Sequence, residues 1–430
     1  MTHRVEAPSG AFPHPAPISA PPHRGAPTLV GHRRLLVAST PDLPSHERQH
    51  GALPWHGGAG RLIGVVEAAG LTGRGGSGFP TARKLASVAK GHRPLVIANG
   101  AEGEPASAKD RTLLRHSPHL VLDGLQLAAE AVGAKRGYVY APLDTANWIA
   151  ELAGQRRAAG WDRISVEIVA SPPAFISGEE SAAVAAVEGL VAKPRDTPRR
   201  VTEEGVNGRA TLVQNVETLA HLALIARYGA GWFREQGTMD EPGTFLATVS
   251  GAVGMPGVYE APYGVALSGL LGAAGSPTEQ LQAVLVGGYH GAWVPAIAEL
   301  PLLRSALQRY GAAPGAGVVI ALPATSCGLV ESAKVAGYLA SASAGQCGPC
   351  VNGLPRIADT LTRLADGDRQ PGLAAEVDRL ARLVSGRGAC HHPDGTSRFV
   401  RSTLRAFAAE VDLHLTGRCR ARTGTAGLVR

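Results

Sequence analysis

Three short apolar stretches decide the fold of the first half of this chain: RPLVIANG (residues 93–100), GYVYAPL (137–143) and SVEIVAS (165–171). Each is typical of a buried strand, and two helical patterns separate them, HLVLDGLQLAAEAVGA (119–134) and DTANWIAELAGQRRAAG (144–160). Strands that alternate with helices predict an α/β fold, with a parallel sheet covered on both faces. Ligands of such sheets bind at the carboxyl ends of the strands, where ANGAEGEP (98–105) and SPPAFISGEE (171–180) fall.

The pattern changes after the helix-like stretch NVETLAHLALIARYGAGWF (215–233). Short strand-like stretches then surround the helical VALSGLLGAAG (265–275) and predict a small mixed β-rich unit from Thr244 to Val294: TFLATVSG (244–251), GVYEAPYG (257–264) and AVLVGG (283–288). A further strand, GVVIALP (317–323), follows. From Gly328 onward, apolar residues at three- and four-residue spacing predict a four-helix bundle. Its helices are VESAKVAGYLA (330–340), LPRIADTLTRLA (354–365), LAAEVDRLARLVSG (373–386) and SRFVRSTLRAFAAEVDLHL (397–415).

The composition is that of an ordinary globular protein, with 44% hydrophobic and 18% charged residues among 430. No apolar run reaches the roughly 18 residues that cross a bilayer, so direct membrane insertion is not expected. The net charge of +7 comes from scattered basic residues without a nucleic-acid-binding module, so nucleic acid is not an expected partner. Residues 1–50 are rich in Pro, Ala and His, lack a signal-peptide pattern and are expected to form a disordered tail. Five cysteines in so long a chain do not make a secreted disulfide scaffold, which favours a cytoplasmic location.

The stretch GLTGRGGSGFPTARK (70–84) places four glycines within six positions and continues into a predicted helix. Glycine backbones allow consecutive N–H groups to surround an oxyanion, so the loop predicts a phosphate site. Arg74, Arg83 and Lys84 add positive charge, and the amino end of the helix adds its dipole. A flexible glycine turn is the plain alternative. The loop follows a helix and not a strand, so the dinucleotide-binding Rossmann fingerprint is not satisfied.

A set of motifs follows in a fixed order along the chain: GRGGSGFPTARK (73–84), ANGAEGEP (98–105) with KDR (109–111), FISGEESA (175–182), Pro194–Arg195, QNVETLA (214–220) and CGPC (347–350). Together they resemble the flavin-binding NADH dehydrogenase subunit, the F-type subunit, of respiratory complex I. The similarity runs from about Gly60 into the C-terminal helices. The resemblance implies an α/β domain that binds FMN and NADH over 51–243, a β-grasp (SLBB-like) domain with its connector over 244–327, and a helical iron–sulfur domain over 328–430.

The resemblance also implies roles for individual residues. The residues that line the phosphate and ribityl chain of FMN are Gly73, Arg74, Gly75, Gly76 and Lys84. Asn99 and Glu102 face the flavin, and Gln214 and Asn215 match an asparagine pair near the phosphate. The acids that flank the nicotinamide and the flavin, and form the catalytic set, are Glu104, Glu179 and Glu180. The residues alone leave plainer alternatives open, because Ser177 and Glu180 have capping-box spacing and the acids could be solvated surface carboxylates.

Several positions depart from the family pattern on the flavin and nucleotide side. Ala101 replaces an aspartate expected at the flavin ring. Of the aromatic residues that sandwich the adenine in the family, Phe79 remains, whereas the others align with Ser87 and Arg200. A lysine used near the nucleotide aligns with Thr197. Each lost stacking partner removes on the order of 1 kcal/mol, so NADH binding is expected to be weakened or replaced.

The cysteine pattern is also incomplete. Where the family has C-x2-C-x2-C and a distant fourth cysteine, this chain has Ala344, Cys347, Cys350 and Cys390. Thiolates favour iron–sulfur clusters or zinc, and the resemblance favours a 4Fe–4S cluster on the three cysteines. The fourth ligand stays open among four side chains: His391, His392, Cys419 and Cys327. A three-iron cluster, a Cys3His zinc site, a redox CxxC pair and inert buried thiols are the alternatives.

These features together predict an electron-transfer flavoenzyme. Electrons from a nicotinamide or another donor would pass through FMN and then singly through the cluster to a partner protein, such as a ferredoxin or a membrane reductase subunit. The altered residues motivate a rival interpretation, a non-catalytic electron-relay or scaffold subunit that retains the fold but does not oxidise NADH.

Overall fold

The computed structural model describes residues 33–37, 40–58, 60–196, 199–276 and 278–421. The strands are β1 (Leu95–Asn99), β2 (Arg136–Pro142), β3 (Ser165–Ser171), β4 (Thr211–Asn215), β5 (Thr244–Gly251), β6 (Gly257–Pro262), β7 (Leu281–Val286), β8 (Ala292–Val294) and β9 (Val318–Pro323). The helices are α1 (Leu43–His50), α2 (Arg61–Ala69), α3 (Thr81–Val88), α4 (Lys109–His116), α5 (Pro118–Val132), α6 (Leu143–Ala158), α7 (Glu180–Val187), α8 (Val216–Arg234), α9 (Leu267–Ala273), α10 (Arg304–Leu307), α11 (Gly328–Ser341), α12 (Leu354–Ala365), α13 (Leu373–Val384), α14 (His392–Ala406) and α15 (Ala408–His414).

Strands β1 to β4 form a sheet in the order β3-β2-β1-β4, in which every neighbouring pair is parallel. The expected α/β fold with a parallel sheet is therefore confirmed. The sequence patterns do not predict β4, because its five residues run directly into the helix that begins at Val216. Since β4 pairs with β1 on the side away from β2, the winding of the sheet reverses between β1 and β4.

Helices cover both faces of this sheet. On one face, α5 is buried along nearly its whole length and packs against α8. A Cβ on Gly124 of α5 would lie 2.0 Å from the carbonyl oxygen of Leu219 in α8, so the two helices meet backbone to backbone and only glycine fits there. The opposite face packs against α7 and the segment 201–206.

Helix α1 falls within the stretch that was expected to form a disordered tail, and for Leu43–His50 that expectation is wrong. The side chain of Asp42 caps the helix, and His46 Nε2 lies 2.7 Å from the buried Asp123 Oδ2 of α5. These contacts supply the fixed partners that a composition rich in Pro, Ala and His does not reveal. Residues 33–37 and 40–42 of the expected tail are also described, and Leu35 and Leu36 among them are buried. Residues 1–32, 38 and 39 lie outside the described residues.

Strands β5 to β9 form a second, mixed sheet in the order β6-β5-β9-β7-β8. Only the β5–β9 pair is parallel. The apolar residues of α9 pack into the core of this sheet. The expected mixed β-rich unit is therefore present, with the three-residue strand β8 in addition.

Helices α11 to α15 form the C-terminal region, which is helical as expected. The last helix of the predicted four-helix bundle is two helices, because the backbone turns at Phe407. Helices α11 and α14 run antiparallel: His392 Nε2 lies 2.8 Å from the carbonyl oxygen of Leu339 at one end, and Gly328 packs against the Phe407 ring at the other. Among the described residues, none of the helices combines the length and apolar character of a bilayer-spanning segment.

Candidate functional site

The candidate site is a crevice at the carboxyl ends of β1 and β4, which we call the strand-end crevice. Asn99 and Asn215 are the last residues of the two strands and are partners in the sheet register. Asn215 Nδ2 donates to Asp110 Oδ2 at 2.7 Å and to the carbonyl oxygen of Asn99 at 3.4 Å. Because the sheet winding reverses between these strands, the crevice is the position at which parallel sheets bind ligands.

The glycine loop Gly73–Gly78 lies against this crevice. A Cβ on Gly75 would lie 3.3 Å from Asn215 Cβ, and Gly76 has a φ of 115°, which residues with side chains rarely adopt. Residues 74–77 form a turn, and within the described residues no hydrogen bond of good geometry involves the backbone N–H groups of positions 75–78. Successive N–H groups without partners form an anion-binding nest, and the phosphate of FMN fits this donor set.

Arg74 anchors the loop and does not line its opening. Its guanidinium donates to the carbonyl oxygens of Thr72 at 2.9 Å and Thr244 at 3.2 Å, and lies 4.6 Å from the centre of the Tyr263 ring. Its backbone N–H donates to Thr218 Oγ1 at 2.9 Å. The expectation that the charge of Arg74 faces the FMN phosphate is therefore corrected, because these buried contacts hold its side chain between the loop and β5.

Lys84 and Glu180 are brought together as an ion pair. Lys84 Nζ, on the helix that follows the loop, donates to Glu180 Oε1 and to the carbonyl oxygen of Val213 at 2.7 Å. Glu180 is the first residue of α7. The pair ties α3 to α7 across the end of β4, and the carboxylate of Glu180 offsets part of the positive charge that Lys84 brings to the site.

A buried network of charged side chains surrounds Lys109 and contacts Asn215 at the end of β4. Lys109 Nζ donates to Asp110 Oδ1 at 2.6 Å and to Asn215 Oδ1 at 3.2 Å, and lies 2.9 Å from Glu217 Oε2. Burial lowers the pKa of Lys109, but the charges of Asp110 and Glu217 outweigh it and raise that pKa above its ordinary value. The sequence patterns assign no role to Lys109 and Glu217, although both stand in the quoted motifs KDR and QNVETLA.

Glu102 and Glu179 are both oriented by helix N-termini. Glu102 accepts hydrogen bonds at 3.1 and 3.2 Å from two backbone N–H groups at the start of α4. Glu179 accepts two at 3.0 Å from backbone N–H groups at the start of α7. The cap of α7 is therefore Glu179, and the capping-box alternative with Ser177 as the cap is wrong. Neither carboxylate is a freely solvated surface group.

Glu104 lies where the strand-end segment meets the second sheet. Its Oε2 accepts a hydrogen bond from the N–H of Tyr289 at 2.8 Å, and a Cβ on Gly288 would lie 2.6 Å from the same oxygen. Burial raises the pKa of Glu104 to about 7, although the N–H groups of Tyr289 and Ala106 act in the opposite direction. This carboxyl group therefore gains and loses its proton near neutral pH.

Asn99 and Gln214 occupy the strand ends in different ways. Asn99 Nδ2 donates to the carbonyl oxygen of Gly178 at 2.9 Å, which links β1 to the FISGEESA segment. Gln214 is buried one residue before the end of β4, and its amide makes no hydrogen bond within the described part of the chain. An amide in this state has donors and an acceptor to offer to a ligand.

On the nucleotide side, Phe79 is the aromatic residue that remains from the family pattern, and Ser87 and Arg200 stand at the positions of the others. Phe79 is 40% exposed, and the guanidinium carbon of Arg83 lies 5.5 Å from the centre of its ring. Ser87 and Arg83 line an open cleft of about 560 Å³, whose described lining residues include no aromatic ring. Arg200 is exposed. Thr197, which aligns with a lysine of the family, lies outside the described residues.

The three candidate metal-binding cysteines are neighbours at the C-terminal end of α11. The N–H of Cys350 donates to the carbonyl oxygen of Cys347 at 3.1 Å, and burial and the Cys347 thiol raise the pKa of Cys350 to about 12. Burial, Glu179 and Cys347 raise the pKa of Cys390, so this thiol is near both the crevice and the CGPC turn. Three soft donors fit an iron–sulfur cluster, whereas Ala344 supplies no fourth ligand.

His392 does not complete the set. His392 Nε2 lies 2.8 Å from the carbonyl oxygen of Leu339, and Nδ1 lies 3.0 Å from His290 Nε2. A carbonyl oxygen can only accept, so Nε2 of His392 carries the proton and Nδ1 accepts from His290. The side chain of His391 is fully exposed and lies 3.3 Å from Asp394 Oδ2. The Cys3His zinc alternative is therefore wrong for His392, whose two nitrogens are engaged.

Cys327 and Cys419 are also excluded as the fourth cluster ligand. Cys327 directly precedes α11, whereas the CGPC turn follows the other end of this 14-residue helix, which is about 21 Å long. Cys419 lies with Cys327, within 4.8 Å of it. The five cysteines are thus divided between the two ends of α11.

Comparison with known proteins finds two family models along the chain. Residues 66–224 match the Nuo51 FMN-binding domain. Residues 331–414 match the NADH-ubiquinone oxidoreductase-F iron–sulfur binding region. The first match contains the glycine loop and both strands of the crevice, and the second contains the three neighbouring cysteines.

Whole-chain relatives agree with these matches. The F 2 subunit of NADH-quinone oxidoreductase from Rhizobium meliloti (strain 1021) is 31% identical over 375 residues, which are 83% of this chain and 89% of the relative. The F subunit of the same enzyme from Streptomyces coelicolor (strain ATCC BAA-471 / A3(2) / M145) is 29% identical, with 83% of each chain covered. A crystal structure of an NAD+-reducing NiFe-hydrogenase in the air-oxidized state matches with a TM-score of 0.76 and 33% identity. That match covers 82% of this chain but only 62% of the hydrogenase chain.

Proposed function

The chain belongs to the family of F-type NADH-quinone oxidoreductase subunits, which are flavoprotein oxidoreductases with FMN and a 4Fe–4S cluster, and we propose that it oxidises a reduced nicotinamide nucleotide and delivers single electrons to a partner protein. The observation that carries the proposal is the row of N–H groups at positions 75–78, which make no protein hydrogen bond of good geometry within the described residues and lie against the ends of β1 and β4. FMN, when bound, would supply the conversion of a two-electron hydride donor to single-electron transfer, and a 4Fe–4S cluster would supply a single-electron acceptor.

We assign the binding roles within the crevice as follows. The N–H groups of Gly75 and Gly76 hold the phosphate, and Lys84 adds positive charge while Glu180 fixes its position. Gly73 begins the loop, with its N–H bonded to the carbonyl oxygen of Phe79 at 2.9 Å. The side-chain amides of the strand ends, on Asn99, Gln214 and Asn215, orient the remainder of the flavin.

The acids of the crevice have two proposed roles. Glu102 and Glu179 are held by helix N-termini and act as fixed hydrogen-bond acceptors for ribose and carboxamide groups. Glu104, with a pKa of about 7, holds or releases a proton close to the site at neutral pH. Glu180 works through Lys84, which makes it a positioning residue.

Electrons leave the crevice toward the C-terminal helices in this proposal. The ring of Phe175 lies between the two regions, with its centre 4.7 Å from that of His290 and 5.5 Å from that of His392. Glu179 raises the pKa of Cys390, which requires the two groups to be neighbours. The Phe175 contacts and the influence of Glu179 on Cys390 support a short path from the crevice to Cys390, as single-electron transfer requires.

We propose the following division into domains. Residues 51–243 form the FMN-binding domain, 244–327 form a β-grasp (SLBB-like) domain with its connector, and 328–430 form the iron–sulfur domain. The two sheets and the C-terminal helices fall within these limits, which supports the division. The electron acceptor in this proposal is a partner such as a ferredoxin or a membrane reductase subunit, reached from a cytoplasmic location.

The rival function is an electron-relay or scaffold subunit that holds FMN without oxidising NADH. The observation that favours it is the nucleotide side, where Ser87 and Arg200 stand at positions of family aromatics and Ala101 has no carboxylate. The cleft lined by Arg83 and Ser87 also contains Lys90 and Glu203, and its two cationic side chains suit a nucleotide that carries an additional phosphate. NADH and NADPH must therefore be compared directly.

The test is the reduction of the bound flavin under anaerobic conditions. The full chain is purified anaerobically, loaded with FMN, and mixed with micromolar NADH or NADPH while the flavin absorbance is followed. Bleaching by either nucleotide supports the proposed oxidation and identifies the donor. Bleaching by dithionite but by neither nucleotide would overturn it in favour of the relay. Failure to retain FMN at all would overturn both functions.

A further inference from the structure

Four buried side chains converge at the N-terminal end of α11, away from the strand-end crevice and the three neighbouring cysteines. Cys327 immediately precedes α11, Glu410 and His414 lie one turn apart on α15, and Cys419 lies in the segment that follows. One ligand atom from each of the four lies within 4.8 Å of every other, and all four residues are buried. Three separate segments thus bring together two thiols, an imidazole and a carboxylate.

The spacing of these atoms matches a tetrahedral metal site. Zinc binds sulfur at about 2.3 Å and nitrogen or oxygen at about 2.0–2.2 Å, so the ligand atoms of a tetrahedral site lie roughly 3.4–3.8 Å apart. Cys327 Sγ lies 3.4 Å from His414 Nε2, and His414 Nε2 lies 3.8 Å from Glu410 Oε2. The side chains are therefore already positioned for a cation at their centre.

The surrounding charges also suit a divalent cation. Two thiolates and one carboxylate carry three negative charges, which a divalent ion reduces to one. Arg420 Nε lies 3.4 Å from Glu410 Oε1, and this guanidinium offsets the remaining charge. Glu410 Oε1 is buried and accepts no hydrogen bond with acceptable geometry among the described residues. Binding a cation to this carboxylate compensates for that burial.

We propose that Cys327, Glu410, His414 and Cys419 form a structural zinc site that fastens α15 and the following segment to the start of α11. Zinc displaces the two thiol protons on binding, and no redox change is involved. Two thiols, an imidazole and a carboxylate in tetrahedral spacing select zinc over calcium and magnesium, which prefer oxygen ligands. The site goes beyond the proposed electron transfer and does not depend on it.

The test measures zinc and iron separately in the full chain and in paired variants. Purified protein is analysed for metals by mass spectrometry after zinc- and iron-supplemented expression. The wild type and Cys350→Ser should each retain about one zinc per chain, and His414→Ala should lose most of it while its iron content is unchanged. His414→Cys, which replaces one zinc ligand by another, should keep zinc and shows whether the loss in His414→Ala reflects the ligand or the fold.

A cobalt titration provides an independent readout. Adding Co²⁺ alone to the zinc-depleted chain should give the visible bands of tetrahedral cobalt and thiolate-to-cobalt charge transfer in the wild type and Cys350→Ser, but not in Cys327→Ser. Absence of zinc and of these bands from the wild type would overturn the proposal. So would zinc that is lost in Cys350→Ser and retained in His414→Ala, or a Cys327–Cys419 disulfide in the freshly purified, non-reduced protein.

Discussion

The strand-end crevice and the cluster region at the C-terminal end of α11 are built in opposite ways. In the crevice, Lys109, Asp110, Asn215 and Glu217 are joined by hydrogen bonds and ion pairs beneath the glycine loop. At the cluster region, three thiols are neighbours, but the fourth position is Ala344. We infer that the phosphate nest is fixed by the fold itself, whereas the geometry of the thiols depends on the metal that they bind.

The largest expected effect comes from placing a side chain and a charge in the nest. Gly76→Asp forces a side chain onto a residue with a φ of 115° and sets a carboxylate against the phosphate. Lost donors and like charge cost roughly 1–3 kcal/mol each, so FMN affinity should fall about 100-fold or more. Fluorescence quenching during an FMN titration measures the change.

The matched control for this prediction is Gly154→Asp on α6. A Cβ at Gly154 meets nothing within 4 Å, so the same substitution is made in open space. Its FMN affinity should equal that of the wild type. Equal affinity in Gly76→Asp as well would show that the loop does not bind the phosphate.

The next largest effect concerns iron, and it separates the two regions. Cys350→Ser removes a buried thiol from the cluster region and should lower iron and sulfide content to a small fraction of the wild-type value, because two thiols hold a cluster poorly. FMN content should not change, since the crevice is fixed by its own contacts. Metal analysis and the flavin spectrum of one sample measure both quantities. Cys419→Ser, at the other end of α11, is the control and should keep its iron. If Cys419→Ser lost iron and Cys350→Ser kept it, the cluster would not be bound at the CGPC turn.

A smaller effect is expected in the pH dependence of stability. The pKa of Glu104 is about 7 in the folded chain and near 4.5 when unfolded, so the folded chain binds this proton more tightly. The contribution of this tighter proton binding to the free energy of unfolding is complete below pH 4.5 and is lost as the pH rises through 7. Glu104→Gln stays neutral, so denaturant unfolding of the FMN-free chain should show a gain of up to roughly 3 kcal/mol over the wild type at pH 8 and almost none near pH 4. An equal difference at both pH values would refute the assignment.

The smallest effect is a gain at the cluster region. Ala344→Cys supplies the thiol that the family pattern places there, and position 344 is partly buried beside the CGPC turn. The cluster in this variant should lose iron several-fold more slowly in air than that of the wild type. Iron release followed with a chromogenic chelator measures the rates, with Ala344→Ser as the control. Identical rates in all three proteins would mean that position 344 does not reach the cluster.

The sequence predicted most of the parallel sheet because buried parallel strands are short and almost wholly apolar. The sequence patterns do not reveal strand β4, since TLVQN ends in two polar residues, Gln214 and Asn215, and Asn215 caps α8. The two polar residues that belong to the candidate site therefore interrupt the apolar pattern by which a buried strand is predicted. The break at Phe407 was also missed, because the apolar spacing of α14 continues through α15.

The sequence predicts where the candidate site lies in the fold, but it does not predict the directions in which the side chains of the site point. The order of the motifs located the glycine loop and the strand ends, yet Arg74 turns away from the loop to meet Thr244, a partner far along the chain. The caps formed by Glu102 and Glu179 likewise depend on where α4 and α7 begin. The grouping of Cys327 with Cys419 follows from the antiparallel packing of α11 and α14, which no local spacing reveals.

The central claim is that the nest at positions 75–78 binds the phosphate of FMN, and a comparison of FMN with riboflavin tests it most directly. The two flavins differ only in that phosphate, so calorimetric titrations of the same flavin-depleted chain isolate its contribution. We predict one FMN per chain, bound about 100-fold or more tightly than riboflavin, because several N–H donors face a charged acceptor. Equal affinities for FMN and riboflavin, or no binding of either, would contradict the claim.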